Sequence, residues 1–271
     1  MSCQVFTNSS SGGFEDAPVY AADNGAAISQ NSWGYTNVGV YDQAVLDAID
    51  YFNANGGGSV MNGGITIFAA GNDGSSGQWY PGCYSGTLSV AATNNNDVKA
   101  WYSNYDTWVD ISAPGGETNS VTARGVLSTT TGNTYSFYQG TSMACPHVSG
   151  VAALLISNAH RNGLTLTNTQ LRNLLVNNVD NHYSLNPSYT GKLGSGRLNA
   201  LLALTALQAL YTTDPPGAPT ALTVSSITDE SALLSWNPAT GASSYTIQIR
   251  PVGGSWTTYS SVSSSYTATG L

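Results

Sequence analysis

From residue 17 to residue 213, short β-branched apolar runs alternate with stretches of helical period, and this alternation restricts the chain more than any other feature. Ile65 to Ala70 and Thr87 to Ala92 have no polar face, as expected of strands buried on both sides of a parallel sheet. Ala27 to Asn31 leads into Ser32-Trp33-Gly34, a short strand ended by glycine, and Val109 to Ser112 alternates. Residues 41–54 place Val45, Ile49 and Phe52 on one side of an amphipathic helix closed by Gly56, Gly57 and Gly58. Further helices are predicted at 142–158, at 167–178 with Thr167 to Thr169 as the cap region, and at 197–210. Strands interleaved with helices of this length predict an α/β domain built on a doubly wound, mostly parallel sheet.

The pattern changes at Asp214-Pro215-Pro216-Gly217-Ala218-Pro219, where three prolines in five residues end the helix and stiffen the chain. Beyond it Ser231 to Trp236 and Tyr245 to Arg250 alternate with period two, as in a β-sandwich. Only 58 residues follow residue 213, too few for seven strands. The expected organisation is a first domain over 1–212, a Pro-rich linker over 213–218 and a partial sandwich over 219–271.

Charge narrows the partners. Fifteen acidic against seven basic residues give a net charge of −8, without the basic patch that nucleic acid or an anionic membrane needs. Charged residues are 8% of the chain, against roughly 25% in ordinary domains, so solubility falls to Ser, Thr, Asn, Gly and Tyr. No apolar run reaches the ~18 residues of a membrane span, and Met1 to Phe6 lacks the basic and apolar regions of a signal peptide. Cys3, Cys83 and Cys145 are too few and too scattered for a disulfide framework or a zinc site.

Two segments carry chemistry. In GTSMACPHVSG (140–150) a Gly-Thr-Ser turn runs straight into a helix whose buried side is marked by Ala144, Val148, Val151 and Leu154. Ser142 thus stands at a helix N-terminus, where free N–H groups and the dipole favour negative charge. A nucleophilic serine gains there, because its own N–H can hold the oxyanion formed after attack. Pro146 falls inside the first turn, where its missing N–H costs little. Serine is also a favoured helix cap with no further role. In ITIFAAGNDG (65–74) an apolar strand delivers Asn72 to its C-terminal edge, where ligands bind in open α/β sheets. A carboxamide there can donate to a developing oxyanion, although Asn-Asp-Gly is equally a turn sequence. Gly71, Gly74 and Gly77 lack the Gly-Lys-Ser/Thr of a phosphate loop.

Together these segments resemble the subtilisin-like serine proteases. GTSMACPHVSG resembles the nucleophile motif, AAGN (69–72) the oxyanion segment and SWG (32–34) the strand lining the substrate cleft; VDISAPG (109–115) and GSGRLNA (194–200) follow in family order. The resemblance, over about residues 5–210, implies Ser142 as nucleophile and Asn72 as oxyanion donor. It implies substrate backbone pairing at Ser32, Trp33 and Gly34, and a pocket walled by Ala69, Ala70 and Gly71. It also implies a peptide or protein substrate and a secreted or cell-surface location. Structural calcium is common in the family, but no Asp-x-Asp-x-Asp-Gly loop is present and no residue is assigned as a metal ligand.

The departures matter as much. The family's triad runs Asp, His, Ser, with the first two before the SWG segment; here His147, His160 and His182 all follow Ser142. Five helical residues carry His147 about 140° off the Ser142 face and about 7.5 Å along the axis. His160 ends a helix beside Arg161, His182 lies in a polar loop, and neither Asp73 nor Asp110 has a histidine to orient. In subtilisin, loss of the histidine alone costs about 2 × 10⁶ in kcat, leaving roughly 10³–10⁴ over water. The expectation is therefore a protease fragment with a nucleophile and oxyanion site but no base, of little activity in isolation.

The C-terminal part resembles the start of a fibronectin type III domain, with APTALTV (218–224), ALLSWNP (232–238) and SYTIQIR (244–250) as its first three strands and SYTATGL (265–271) approaching the next corner. The strand expected beside Tyr245 to Ile249 falls beyond the last residue, leaving an apolar edge. Two other readings remain. An α/β-hydrolase esterase would use Gly140-x-Ser142-x-Ala144 as its elbow, one residue short of G-x-S-x-G. A catalytically inactive surface or adhesion protein would bind through its C-terminal module.

Overall fold

A mostly parallel sheet of six strands organises the larger part of the chain. In the computed structural model, which describes residues 1–7, 9–211 and 217–270, the chain divides into two units, Met1–Tyr211 and Thr212–Leu271. The first begins with α1 (Asp16–Asp23), β1 (Ile28–Asn31), α2 (Gln43–Asn55), β2 (Met61–Asn62), β3 (Ile65–Ala69), β4 (Leu88–Thr93) and β5 (Ile111–Pro114). A hairpin of β6 (Val126–Thr130) and β7 (Thr134–Tyr138) leads to α3 (Thr141–Arg161) and β8 (Leu166–Thr167). Then come α4 (Asn168–Val176), β9 (Val179–Asp180), β10 (Arg197–Leu198) and α5 (Ala200–Gln208). The sheet order is β1-β3-β4-β5-β10-β9, and within it only β9 runs antiparallel to its neighbour. This is the mostly parallel α/β arrangement that the alternation of strands and helices predicts.

Every residue of β3 and β4 is buried, as their unbroken apolar character demands, because both faces are covered. On one face α3 packs with Ala144, Val148, Ala152 and Leu155 inward. On the other, Val45, Leu46 and Ile49 of α2 close over Phe68, with Trp33 in edge contact with that ring at 5.3 Å. The α2 start is capped by Asp42, whose carboxylate accepts from Ala44 N. Thr167 and Gln170 form a reciprocal capping box on α4.

Several expectations need correcting. Leu154 is 53% exposed and Leu155 is the buried leucine. At ~100° per residue, position 155 returns to within about 20° of Ala144, whereas 154 falls about 80° away. Residues 32–34 are not strand, since β1 ends at Asn31. Arg197 and Leu198 are not helical: they form β10, and α5 starts only after Asn199, whose side chain caps it by accepting from Leu202 N. Pro146 lies in the second turn, because α3 starts at Thr141.

The prolines expected to form the linker at 213–218 lie mainly outside the described residues. The second unit holds β11 (Thr220–Ser225), β12 (Ser231–Asn237), β13 (Tyr245–Ile249), β14 (Thr257–Ser261) and β15 (Ser265–Thr269). They form two antiparallel sheets, β11-β12-β15 and β13-β14, with Trp236 edge-on to Tyr245 at 5.2 Å. Tyr245 to Ile249 is therefore not left without a neighbour: the Thr-rich segment 257–261 pairs with it from one side.

Candidate active site

β1 and β3 are adjacent and parallel, with Asn31 opposite Phe68. The segments that follow them therefore emerge side by side at the C-terminal edge of the sheet. There they enclose a cavity of about 230 Å³, with Ser32, Trp33 and Gly34 from one segment and Ala69, Ala70, Gly71 and Asn72 from the other. Ser142, at the start of α3, completes it together with Thr141. All eight residues singled out from sequence thus meet in one place. A larger hollow of about 450 Å³ in the second unit is lined by Trp236, Tyr245 and Ile247 and holds no such group.

The turn after β3 is held from beneath. Gly71 has φ +102°, and a Cβ there would run into the Asn104 amide. Asn104, fully buried, accepts from Asp73 N at 2.9 Å and donates to Ala70 O at 3.1 Å, which fixes the loop carrying Asn72. Asn72 Oδ1 then accepts two hydrogen bonds from Thr141, from its N–H at 2.9 Å and its hydroxyl at 3.0 Å. Thr141 N–H has no intrahelical acceptor, so a side chain from another loop caps α3. Because that donor is a backbone N–H, the atom facing it must be the carboxamide oxygen, and the orientation of Asn72 follows. Its Nδ2 is left without an acceptor among the described residues.

The start of α3 leaves a second donor open. Met143 and Ala144 N–H both reach Gly140 O, and Thr141 N–H is taken by Asn72, whereas Ser142 N–H has no acceptor among the described residues. Two N–H donors of this kind, beside a serine hydroxyl at a helix N-terminus, can stabilise an oxyanion. Pro146 has no N–H to give Ser142 O, and the Ser32 hydroxyl supplies the missing donor at 3.0 Å.

Among the described residues no base engages Ser142. Ser142 Oγ reaches only Ser32 O, at 3.4 Å. His147 Nδ1 is bonded to Met143 O at 2.8 Å, and His160 is exposed in the last turn of α3. His182 is not solvated: it is 2% exposed with neither ring nitrogen partnered, and burial holds its pKa below the usual value. Asp110 pairs with Arg172 at 2.6 Å and accepts from Ser89 N at 2.8 Å; burial raises its pKa, with Arg172 acting against that. Among the described residues no three His, Cys, Asp or Glu side chains gather to hold a metal, so no calcium ligands are assigned.

The profile of the subtilase family matches residues 1–201. The chain belongs to the subtilase family. It is 34% identical over 207 residues to thermitase of Thermoactinomyces vulgaris, covering 75% of this chain and 64% of that protein. To an extracellular protease of Xanthomonas campestris pv. campestris it is 41% identical over 152 residues, covering 55% and 25%. A solved protease structure from Pseudoalteromonas arctica superposes with a TM-score of 0.62 at 26% identity, covering 75% of this chain and 61% of that one. The chain spans a quarter to just under two thirds of the length of these two curated relatives. In this subtilase, sequence reasoning missed Thr141 and Asn104. Thr141 sits inside the GTS motif beside Ser142, whereas nothing local marks Asn104.

Proposed function

We propose that this subtilase is the nucleophile-bearing part of a serine endopeptidase. Ser142 Oγ attacks the scissile carbonyl, and the developing oxyanion is held by Asn72 Nδ2 and Ser142 N–H. The substrate backbone lies along Ser32 to Gly34, and the residue before the scissile bond enters the cavity walled by Ala69 to Gly71. The proton on Oγ passes to a general base brought from outside the described residues, and water then clears the acyl-enzyme. The observation that carries this reading is the fixed carboxamide of Asn72, whose Nδ2 is free beside the unpaired N–H of Ser142. An α/β-hydrolase elbow is not favoured, because β7 ends at Tyr138 on a two-stranded hairpin rather than in the central sheet. An extracellular location is proposed by analogy with the relatives, and the second unit is read as the first strands of a fibronectin type III domain.

The test is phosphonylation of the full chain by an aryl fluorophosphonate, in which the serine hydroxyl displaces fluoride from phosphorus, with imidazole added as an external base. Label is expected on Ser142 alone and absent in S142A. N72A should slow it about 10²–10³-fold, the loss measured for this kind of donor in subtilisin itself. Equal labelling of S142A would overturn the proposal.

A further inference from the structure

The small residues at 69–71 suggest space for a bulky side chain, but the far side of the cavity is closed by a segment that their sequence does not reveal. Residues 78–82 cross between the two walls. Tyr80 O accepts from Tyr35 N at 3.0 Å, and Gln78 O accepts from Gly39 N at 2.8 Å, which ties the segment to the loop after Gly34. On the other wall Gly82 lies so close that a Cβ would stand 2.9 Å from Ala69 O. Trp79 and Tyr80 of this segment both line the cavity.

Trp79 is lodged rather than swinging. Its Nε1 is shielded from solvent and has no acceptor, so no hydrogen bond accounts for an indole here. That edge of the ring lies next to Gly77, where a Cβ would stand 3.7 Å from Nε1 and 3.2 Å from Val38 Cγ1. The remaining space, about 230 Å³, includes the region in front of Ser142 and Asn72 and is below the ~300–1,000 Å³ of ordinary ligand clefts. Apart from Asp73, which is bonded to Asn104 Nδ2 at 3.1 Å, no charged side chain among the described residues lines it.

We infer that Trp79 sets specificity, limiting this cavity to small uncharged side chains such as alanine, glycine or serine. The inference rests on the reading that the cavity takes the residue before the scissile bond. It reverses what Ala69 to Gly71 suggest alone, because Trp79 and Tyr80 line the same cavity as those small residues. One methylene more or less in such a pocket changes affinity roughly 10–200-fold, so a phenyl group that meets a fixed indole should be rejected at least about tenfold.

The experiment uses the full chain and two N-acetyl tetrapeptides that differ only in a C-terminal alanine or phenylalanine, titrated by NMR while the Trp79 indole N–H resonance is followed. The alanine peptide should bind at least about tenfold more tightly, and W79G should erase that preference by tightening the phenylalanine peptide about tenfold or more. Equal binding of the two peptides by the wild-type chain would overturn the inference and leave the peptidase reading standing. That comparison decides the matter even where W79G does not fold, and W79L, which keeps an apolar side chain, gives a milder second variant. Failure of both peptides to bind the wild-type chain would remove the peptide reading, and the inference with it.

Discussion

Replacing Thr141 by valine separates the orientation of Asn72 from its presence. Valine keeps the β-branched shape at a fully buried position and removes only the hydroxyl. That hydroxyl donates to Asn72 Oδ1 at 3.0 Å and accepts from Gly71 N at 3.2 Å. The bond to Asn72 contributes about 1 kcal/mol net, and leaving Gly71 N–H without an acceptor costs about 1–3 kcal/mol, so T141V should lose about 2–4 kcal/mol of stability. Asn72 would still be held by Thr141 N–H at 2.9 Å, and so would lose one of two anchors. One anchor of about 1 kcal/mol corresponds to a fall in labelling rate of about 5–10-fold, well short of the 10²–10³ expected for N72A. The assay is the rate of fluorophosphonate labelling of Ser142 with imidazole, beside urea denaturation of the same variant. If T141V were as slow as N72A, or lost stability with no change in labelling, the clamp would not be what aims Asn72.

The two adjacent leucines of α3 should behave oppositely: L155A, at a fully buried site, should cost about 2–5 kcal/mol, and L154A, 53% exposed, about 0.5 kcal/mol or less by urea denaturation. G71A must adopt φ +102° and displace Asn104, so it should lose more than about 1 kcal/mol and also slow labelling of Ser142. His182 gives a pH dependence. Burial lowers its folded pKa below the ordinary 6.5, Asp97 acts in the opposite direction and Arg197 in the same one. A lowered folded pKa means that stability is fully present above about pH 6.5 and is lost as the pH falls toward the folded value. The urea midpoint of the wild type should therefore drop on acidification below pH 6.5, and that of H182L should drop less; parallel curves would show that His182 is not the group responsible.

What the sequence shows of the fold follows from how strongly burial constrains each segment. β3 and β4 could be placed within a residue or two because strands covered on both faces admit no polar position. The hairpin of β6 and β7 was missed: its residues are mostly exposed, so no apolar alternation marks it, although Gly132 and Asn133 both take positive φ at its turn. Leu154 was taken for Leu155 because an error of one position on a helix is 100°, enough to move a side chain from core to solvent. At the site, the segments that bring Ser142 and Asn72 to one cavity were legible because each lies in a long motif. Asn104 and Trp79 were not, since their roles arise from segments that meet only in three dimensions.

The same distinction explains the tie between Ser32 and Ser142. A proline in the second turn of a helix ordinarily leaves a carbonyl without its donor, and here that carbonyl belongs to Ser142. The donor comes from Ser32, which stands first in the segment read as the substrate-binding edge, and Ser142 Oγ in turn points back to Ser32 O. A shift of that edge on binding an extended peptide would therefore be felt directly at the turn that carries Ser142. Restoring the helical donor with P146A should make the Ser32 hydroxyl matter less for stability. The hydroxyl also accepts from Gln30 Nε2 at 2.7 Å, so in a double-mutant cycle S32A should cost about 1 kcal/mol more beside Pro146 than beside alanine; equal costs in both backgrounds would show that the hydroxyl does not stand in for the missing N–H.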